Sequence, residues 1–248
     1  MLINPAIAGL TFRQTLAKRR WMIVLLLAAL PVVLAVVIRA YSADAEDAAT
    51  GIHEILMSLS LTIIVPVIAL VLASSGFGAE VDDGTVVYLL TKPISRAEIV
   101  ATKVLVTSLV CVAFAALSTF VAGQAGMHGL ANAGRHVLGF TVGAALGSLL
   151  YSVIFLALGL ITRRGMLIGL VYIVIWEGVL SSLFPGTRSL SVKQYMFAVT
   201  DAIANTDTAT HLTTLVHSTA YQMSAIVAVA AFALCVHRLK NFQVGQSA

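Results

Sequence analysis

The sequence predicts an all-α integral membrane protein with six transmembrane helices and both termini on the cytoplasmic side. Three observations carry this reading. Of the 248 residues, 59% are hydrophobic and only 10% charged, with a mean hydropathy of +0.98, whereas roughly 25% of a soluble chain is charged. The apolar residues fall into six runs, each near the ~20 helical residues that cross a hydrocarbon core of about 30 Å. Lys and Arg are distributed unevenly between alternate connections, and cationic side chains accumulate on the cytoplasmic side.

The six runs are 21–38, 55–74, 104–122, 137–161, 166–183 and 219–236. Each is read as a helix because lipid offers no partner for free backbone groups. With the termini inside, the cytoplasmic segments hold Arg13, Lys18, Arg19, Arg20, Lys92, Arg96, Lys103, Arg163, Arg164, Arg238 and Lys240. Only Arg39, Arg135, Arg188 and Lys193 fall outside. The net charge of +4 therefore reports topology, and no nucleic-acid partner is implied. The whole chain, 1–248, reads as a single transmembrane domain.

Taken in order, residues 1–20 offer Asn4 as an N-cap and Pro5 at the first helical position, a candidate interfacial helix. Its apolar residues Ile7, Leu10, Phe12 and Leu16 do not gather on one face. The basic triplet Lys18-Arg19-Arg20 precedes the first span, which is long for a signal h-region and lacks a small-x-small site after it. It reads as an uncleaved anchor with Trp21 at the interface. Pro31 and Pro66 lie inside the first two spans, where proline kinks a helix, and packing is the plainer use of them. Gly143 and Gly147 form a GxxxG in the fourth span at which another helix is expected to approach closely. Cys111 and Cys235 sit in apolar runs and behave as small hydrophobes.

Residues 75–103 form the longest cytoplasmic interruption. Ser95 and Glu98 make a capping box, and Ile94 and Ile99 occupy the positions of a hydrophobic staple, so a helix starts there. Pro93 ends what precedes it, leaving Val86 to Leu90 as a short helix entered through Asp82, Asp83 and Gly84. The apolar VVYLL would face water or headgroups without a partner. The pattern of Glu80, Gly84-Thr85, Leu89-Leu90, Pro93, Ser95-Arg96 and the later Lys103 resembles the signature of bacterial ABC transporter permeases of the type-two export family. The resemblance implies a coupling helix between the second and third spans, seated in a cleft of a separate ATP-hydrolysing subunit. The contact would be made by Glu80, Asp82, Asp83, Gly84, Thr85, Leu89, Leu90, Pro93 and Arg96, with a second, smaller one at Arg163 and Arg164. It further implies two copies of that ATPase, a second permease copy or a similar permease, a bacterial cytoplasmic (inner) membrane, and ATP and Mg bound on the partner with no cofactor on this chain. Families of this type place re-entrant helices between the fifth and sixth spans, here 184–218, where Pro185 and Gly186 break the fifth helix and residues 191–205 have helical spacing.

Glu177 stands about six residues inside the outer end of the fifth span, roughly 9 Å deep at 1.5 Å per residue. An intramembrane acid is expected to face protein or a wet cavity and to serve function, and with Tyr172 and Trp176 it marks a candidate translocation path or gate. The alternative is a hydrogen-bonded Glu that holds the end of the fifth helix. None of the six histidines has metal-ligand spacing, and HEIL at 53–56 lacks the second His of a zincin. No G-x-x-x-x-G-K-[ST] occurs in the sequence, so ATP phosphates would be held by another chain. The leading expectation is export of a small or lipid-like substrate. Against it stand an ion-coupled secondary transporter, which would carry several intramembrane charges, and an intramembrane hydrolase built on Glu177.

Overall fold

The computed structural model describes residues 5–17, 19–78, 95–128, 133–162, 164–204, 213 and 216–240. Every regular element among them is helical. A short helix, α1 (Pro5–Thr15), leads into α2 (Arg20–Tyr41). After a two-residue bend comes α3 (Ala45–Phe77), then α4 (Arg96–Met127), α5 (Ala133–Ile161), α6 (Gly165–Leu180), α7 (Val192–Ala204) and α8 (His217–Lys240). Five of these, α2, α3, α4, α5 and α8, are long and apolar enough to cross a membrane. The remaining predicted run forms α6, which is apolar but shorter than those five.

Burial sets the plan. In α5, 67% of the most apolar stretch is inside the bundle, against 17% in α2 and 22% in α8. α5 is therefore the central post, with α3, α4, α7 and α8 packed on it and α2 leaning on α4. Side-chain hydroxyls stitch the bundle across helices: Ser60 bonds Thr119 at 2.8 Å, Ser108 bonds Ser152 at 2.6 Å, and Ser118 donates to the Ala28 carbonyl. Such bonds contribute about 0.6 kcal/mol each in membrane bundles.

Two helices depart from α geometry. In α3 the stretch Ile55–Ile64 is wound as a π-helix, and Thr62 Oγ1 donates to the Met57 carbonyl five residues back. Pro66, which has no N–H to give, stands at the start of the α turn that follows. The end of α3, Ser74–Gly78, and the second half of α6, Tyr172–Leu180, are also π-wound. Such segments gather at functional sites.

α1 is helical from Pro5, the first described residue; Asn4, the expected N-cap, lies outside the described residues. Its buried face is the row Ile7, Thr11 and Thr15, turned toward α4, while Leu10 and Phe12 are exposed. Thr11 and Thr15 satisfy their hydroxyls on the carbonyls four residues back, at 2.8 and 2.7 Å. An apolar-residue search misses this face because two of its three members are threonines.

Candidate functional site

The packing brings two groups of candidate side chains together at opposite ends of the bundle. At the first end meet α1, the end of α3, the start of α4, the end of α5 and the start of α6. α4 starts as its capping chemistry predicts: the Glu98 amide donates to Ser95 Oγ at 3.2 Å, and Ile99 is buried. One turn further, Lys103 is fully buried. Its ammonium donates to the Gly76 carbonyl at 2.6 Å and sits 4.4 Å from the centre of the Phe77 ring, a cation–π contact. On its other side Gly76 abuts α5 so closely that a Cβ would lie 2.5 Å from Leu156 Cδ2. The end of α3 is thus gripped between α4 and α5, immediately before residues 79–94.

Of the residues expected to couple to an ATPase, Glu80, Asp82, Asp83, Gly84, Thr85, Leu89, Leu90, Pro93 and Arg163 lie outside the described residues, as does Ile94 of the staple. The two that are described stand at this same end. Arg96 opens α4, with a buried Nη1 that has no hydrogen-bond partner among the described residues. Arg164 is exposed in the turn between α5 and α6 and donates its amide to Thr162 Oγ1 at 3.3 Å. Gly165 beside it comes close enough to α5 that a Cβ would sit 3.0 Å from Gly159 Cα.

The second group lies at the other end. Glu177 is 1% exposed. Tyr172 Oη donates to its Oε1 at 3.1 Å, and the Val192 amide donates to the same oxygen at 2.9 Å. Ser191 Oγ donates to Oε2 at 2.5 Å, and the Lys193 amide reaches Oε2 at 3.4 Å. Four donors fill the roughly four acceptor positions of a carboxylate. Since Val192 and Lys193 open α7, the carboxylate caps that helix, and its charge faces the positive end of the helix dipole. The Glu177 backbone carbonyl in turn accepts Lys193 Nζ at 2.8 Å and Ser181 Oγ at 2.6 Å. Burial lowers the Lys193 ammonium below the ordinary lysine value; the neighbouring Glu177 charge opposes that shift and Arg188 adds to it.

The segment between α6 and α7 is tied to α6 at two further points. Thr187 Oγ1 donates to the Leu180 carbonyl at 2.9 Å, and Trp176 Nε1 reaches the Leu190 carbonyl at 3.5 Å. Tyr172 also meets Phe155 of α5 edge-on, 6.2 Å between ring centres. The three residues expected at a path or gate are therefore adjacent, each bonded to protein. Lys193, from the helix after the fifth run, thus meets Glu177 twice, with its amide at the carboxylate and with Nζ at the backbone carbonyl. Ser191-Val192-Lys193-Gln194 is a capping-box pattern that marks the helix start with the serine as acceptor; that Glu177 takes over this role carries no mark in the sequence.

α7 then lies along the glycine face of α5. A Cβ at Gly139 would meet the Thr200 carbonyl at 2.8 Å, and one at Gly143 the Met196 carbonyl at 3.0 Å. Thr200 Oγ1 donates to the Gly139 carbonyl at 3.2 Å. The partner of the Gly143/Gly147 motif is thus this short helix, whose Met196 fills the space at Gly147. Among the described residues no group of His, Cys, Asp and Glu has metal-holding geometry.

A model of the family described as ABC-2 family transporter protein matches residues 16–183, more than half of the chain. Comparison with curated proteins gives no significant match. The matched stretch runs from the last residues before α2 to just beyond Glu177, so α7 and α8 fall beyond it.

Proposed function

The chain belongs to the ABC-2 family of transporter membrane proteins, and on that premise we propose that it is the permease subunit of an ABC transporter, coupling ATP hydrolysis on a separate subunit to export of a small or lipid-like substrate. The single observation that carries the reading is the family match across 16–183. Several features agree with it. The chain is a multi-pass membrane protein with five helices of spanning length, and α6, with the turns that extend it, would be the sixth span. Arg13, Arg96, Lys103 and Arg164 stand on elements that meet at one end, the end we assign to the cytoplasm of a bacterial inner membrane.

In this reading two copies of an ATP-binding-cassette subunit dock at that end, on the segment from Glu80 to Arg96 and, more lightly, on Arg163 and Arg164. ATP and Mg belong to those subunits. A second permease copy, or a similar permease, completes the pathway. Closure of the ATPase pair displaces the coupling segment, the grip of Lys103 on Gly76 carries that displacement into α3 and α4, and the bundle shifts between two arrangements. Residues 184–218 contribute the outer gate together with Tyr172, Trp176 and Glu177.

The hydrolase alternative is the weaker one because every acceptor position of Glu177 is occupied by a protein donor, leaving none to take a proton from water. The secondary-carrier alternative would draw on more buried charges than Glu177, Lys103 and Asp201, the ones buried among the described residues. The deciding experiment is purification of the tagged chain from its native membrane. We expect an ATPase with a phosphate-binding loop to accompany it, and ATP turnover to appear only in that complex. Turnover by the isolated chain, or transport by it without any ATPase, defeats the reading.

A further inference from the structure

We propose that Glu177 is a positioning residue that fastens the outer segment, 185–204, to α6, so that segment and helix move as one body when the permease changes state. This deepens the permease reading and rests on it. The warrant is the number and variety of ties that converge on the last two turns of α6, between Tyr172 and Leu180. The carboxylate binds Ser191 Oγ and the amides of Val192 and Lys193; Tyr172 holds the carboxylate from within α6. Lys193 Nζ returns the contact by donating to the Glu177 carbonyl. Thr187 and Trp176 add ties to Leu180 and Leu190.

These ties matter because α6 itself is loosely seated. Its residues Leu167, Leu170, Val171, Val174 and Ile175 are exposed, and it meets the bundle on one side, through Gly165, Gly169, Tyr172 and Ile173 and through Glu177 beside Tyr151 of α5. α7, in contrast, is pressed into the glycine face of α5. Without Glu177 the outer segment would follow α5 and leave α6; with it, movement of α6 reaches the outer segment directly. A carboxylate whose acceptor positions are all filled by protein also offers nothing to a passing substrate, which separates positioning from lining.

The test uses the full chain in lipid nanodiscs, with and without its co-purifying ATPase, in a background lacking Cys111 and Cys235. First, amide hydrogen exchange is followed at Val192 and Lys193. Glu177→Gln is expected to speed exchange there about tenfold, the loss of one buried charged acceptor, and to leave the middle of α5 unchanged. Second, spin-label distances are measured for the pairs Leu138→Cys/Ile175→Cys and Leu138→Cys/Leu190→Cys, before and after vanadate-trapped ATP. In the parent protein both pairs shift together. In Glu177→Gln the Ile175 pair is expected to keep its shift while the Leu190 pair loses it, a result that a merely stabilising role would not produce. Unchanged exchange, or a Leu190 pair that still follows the Ile175 pair, overturns the proposal. Where Glu177→Gln does not accumulate, Ser191→Ala removes one donor and is held to the same outcomes. Absence of any ATP-driven shift in the parent protein counts against the permease reading, and the clasp is then decided on the exchange result.

Discussion

Lys103 and Glu177 are buried side chains handled in the same way: each is surrounded by fixed protein dipoles and an aromatic neighbour. Losing Lys103 is therefore expected to be costly. Lys103→Met keeps the stem but removes the bond to the Gly76 carbonyl and the contact with Phe77. A hydrogen bond from a charged donor contributes about 1.5–3 kcal/mol. The purified variant is expected to melt at a lower temperature by the equivalent of about 2 kcal/mol, with Lys240→Met, at the exposed end of α8, unchanged. Equal melting of the two variants counts against the grip. That Glu177 must face protein was legible from its depth in an apolar run. Its partners were not, because three of them belong to a segment fourteen to sixteen residues away and two of those are backbone amides, which carry no sequence mark. Lys103 was visible only as the last letter of a pattern; its acceptor lies 27 residues earlier, on a glycine carbonyl.

At the scale of elements, the apolar runs and the start of α4 were the most legible features, since apolar runs and capping residues are local. α4 opens at the capping box, as the chemistry requires, whereas α3 begins at Ala45, well ahead of the apolar run at 55–74. What a face packs against is a non-local matter. The Gly143/Gly147 pair announced a close approach without naming the visitor, and α7 is the visitor. Gly143→Leu is expected to push α7 off α5, because the added side chain meets backbone at Met196, which cannot fold away. Overpacking of this kind typically costs 1–3 kcal/mol. The check is thermal loss of the monodisperse peak in detergent, with Gly134→Leu as the comparison, since a Cβ there meets nothing within 4 Å. A Gly143→Leu protein as stable as Gly134→Leu would mean that the two helices do not meet. The π-winding of α3 and α6 was not legible, because apolar spacing and capping patterns do not mark a ladder bonded five residues back.

For the whole molecule, composition fixed the class, and the charge asymmetry makes a testable claim about orientation. Single cysteines at Ala45 and Asn132 are expected to react with an impermeant maleimide in intact cells, and those at Asp83 and Gly165 only after permeabilisation. External labelling at Asp83 would reject the six-span layout. Coupling has its own test. Gly84→Val is expected to leave the protein inserted and complexed but to lower transport more than ATP hydrolysis, and Glu80→Gln to lower affinity for the ATPase or its stimulation by about tenfold, the loss of one charge-assisted contact. A wild-type ratio of transport to hydrolysis with normal ATPase binding in both variants would leave 75–103 an ordinary loop. The described fold also has a mechanical corollary. A ladder bonded five residues back holds one residue more per turn than an α-helix. The stretches Ile55–Ile64 and Tyr172–Leu180 are therefore slack wound into α3 and α6. Rewinding a single turn releases one residue of chain toward either end, so each helix can lengthen its reach and rotate its tip while its buried middle stays where it is.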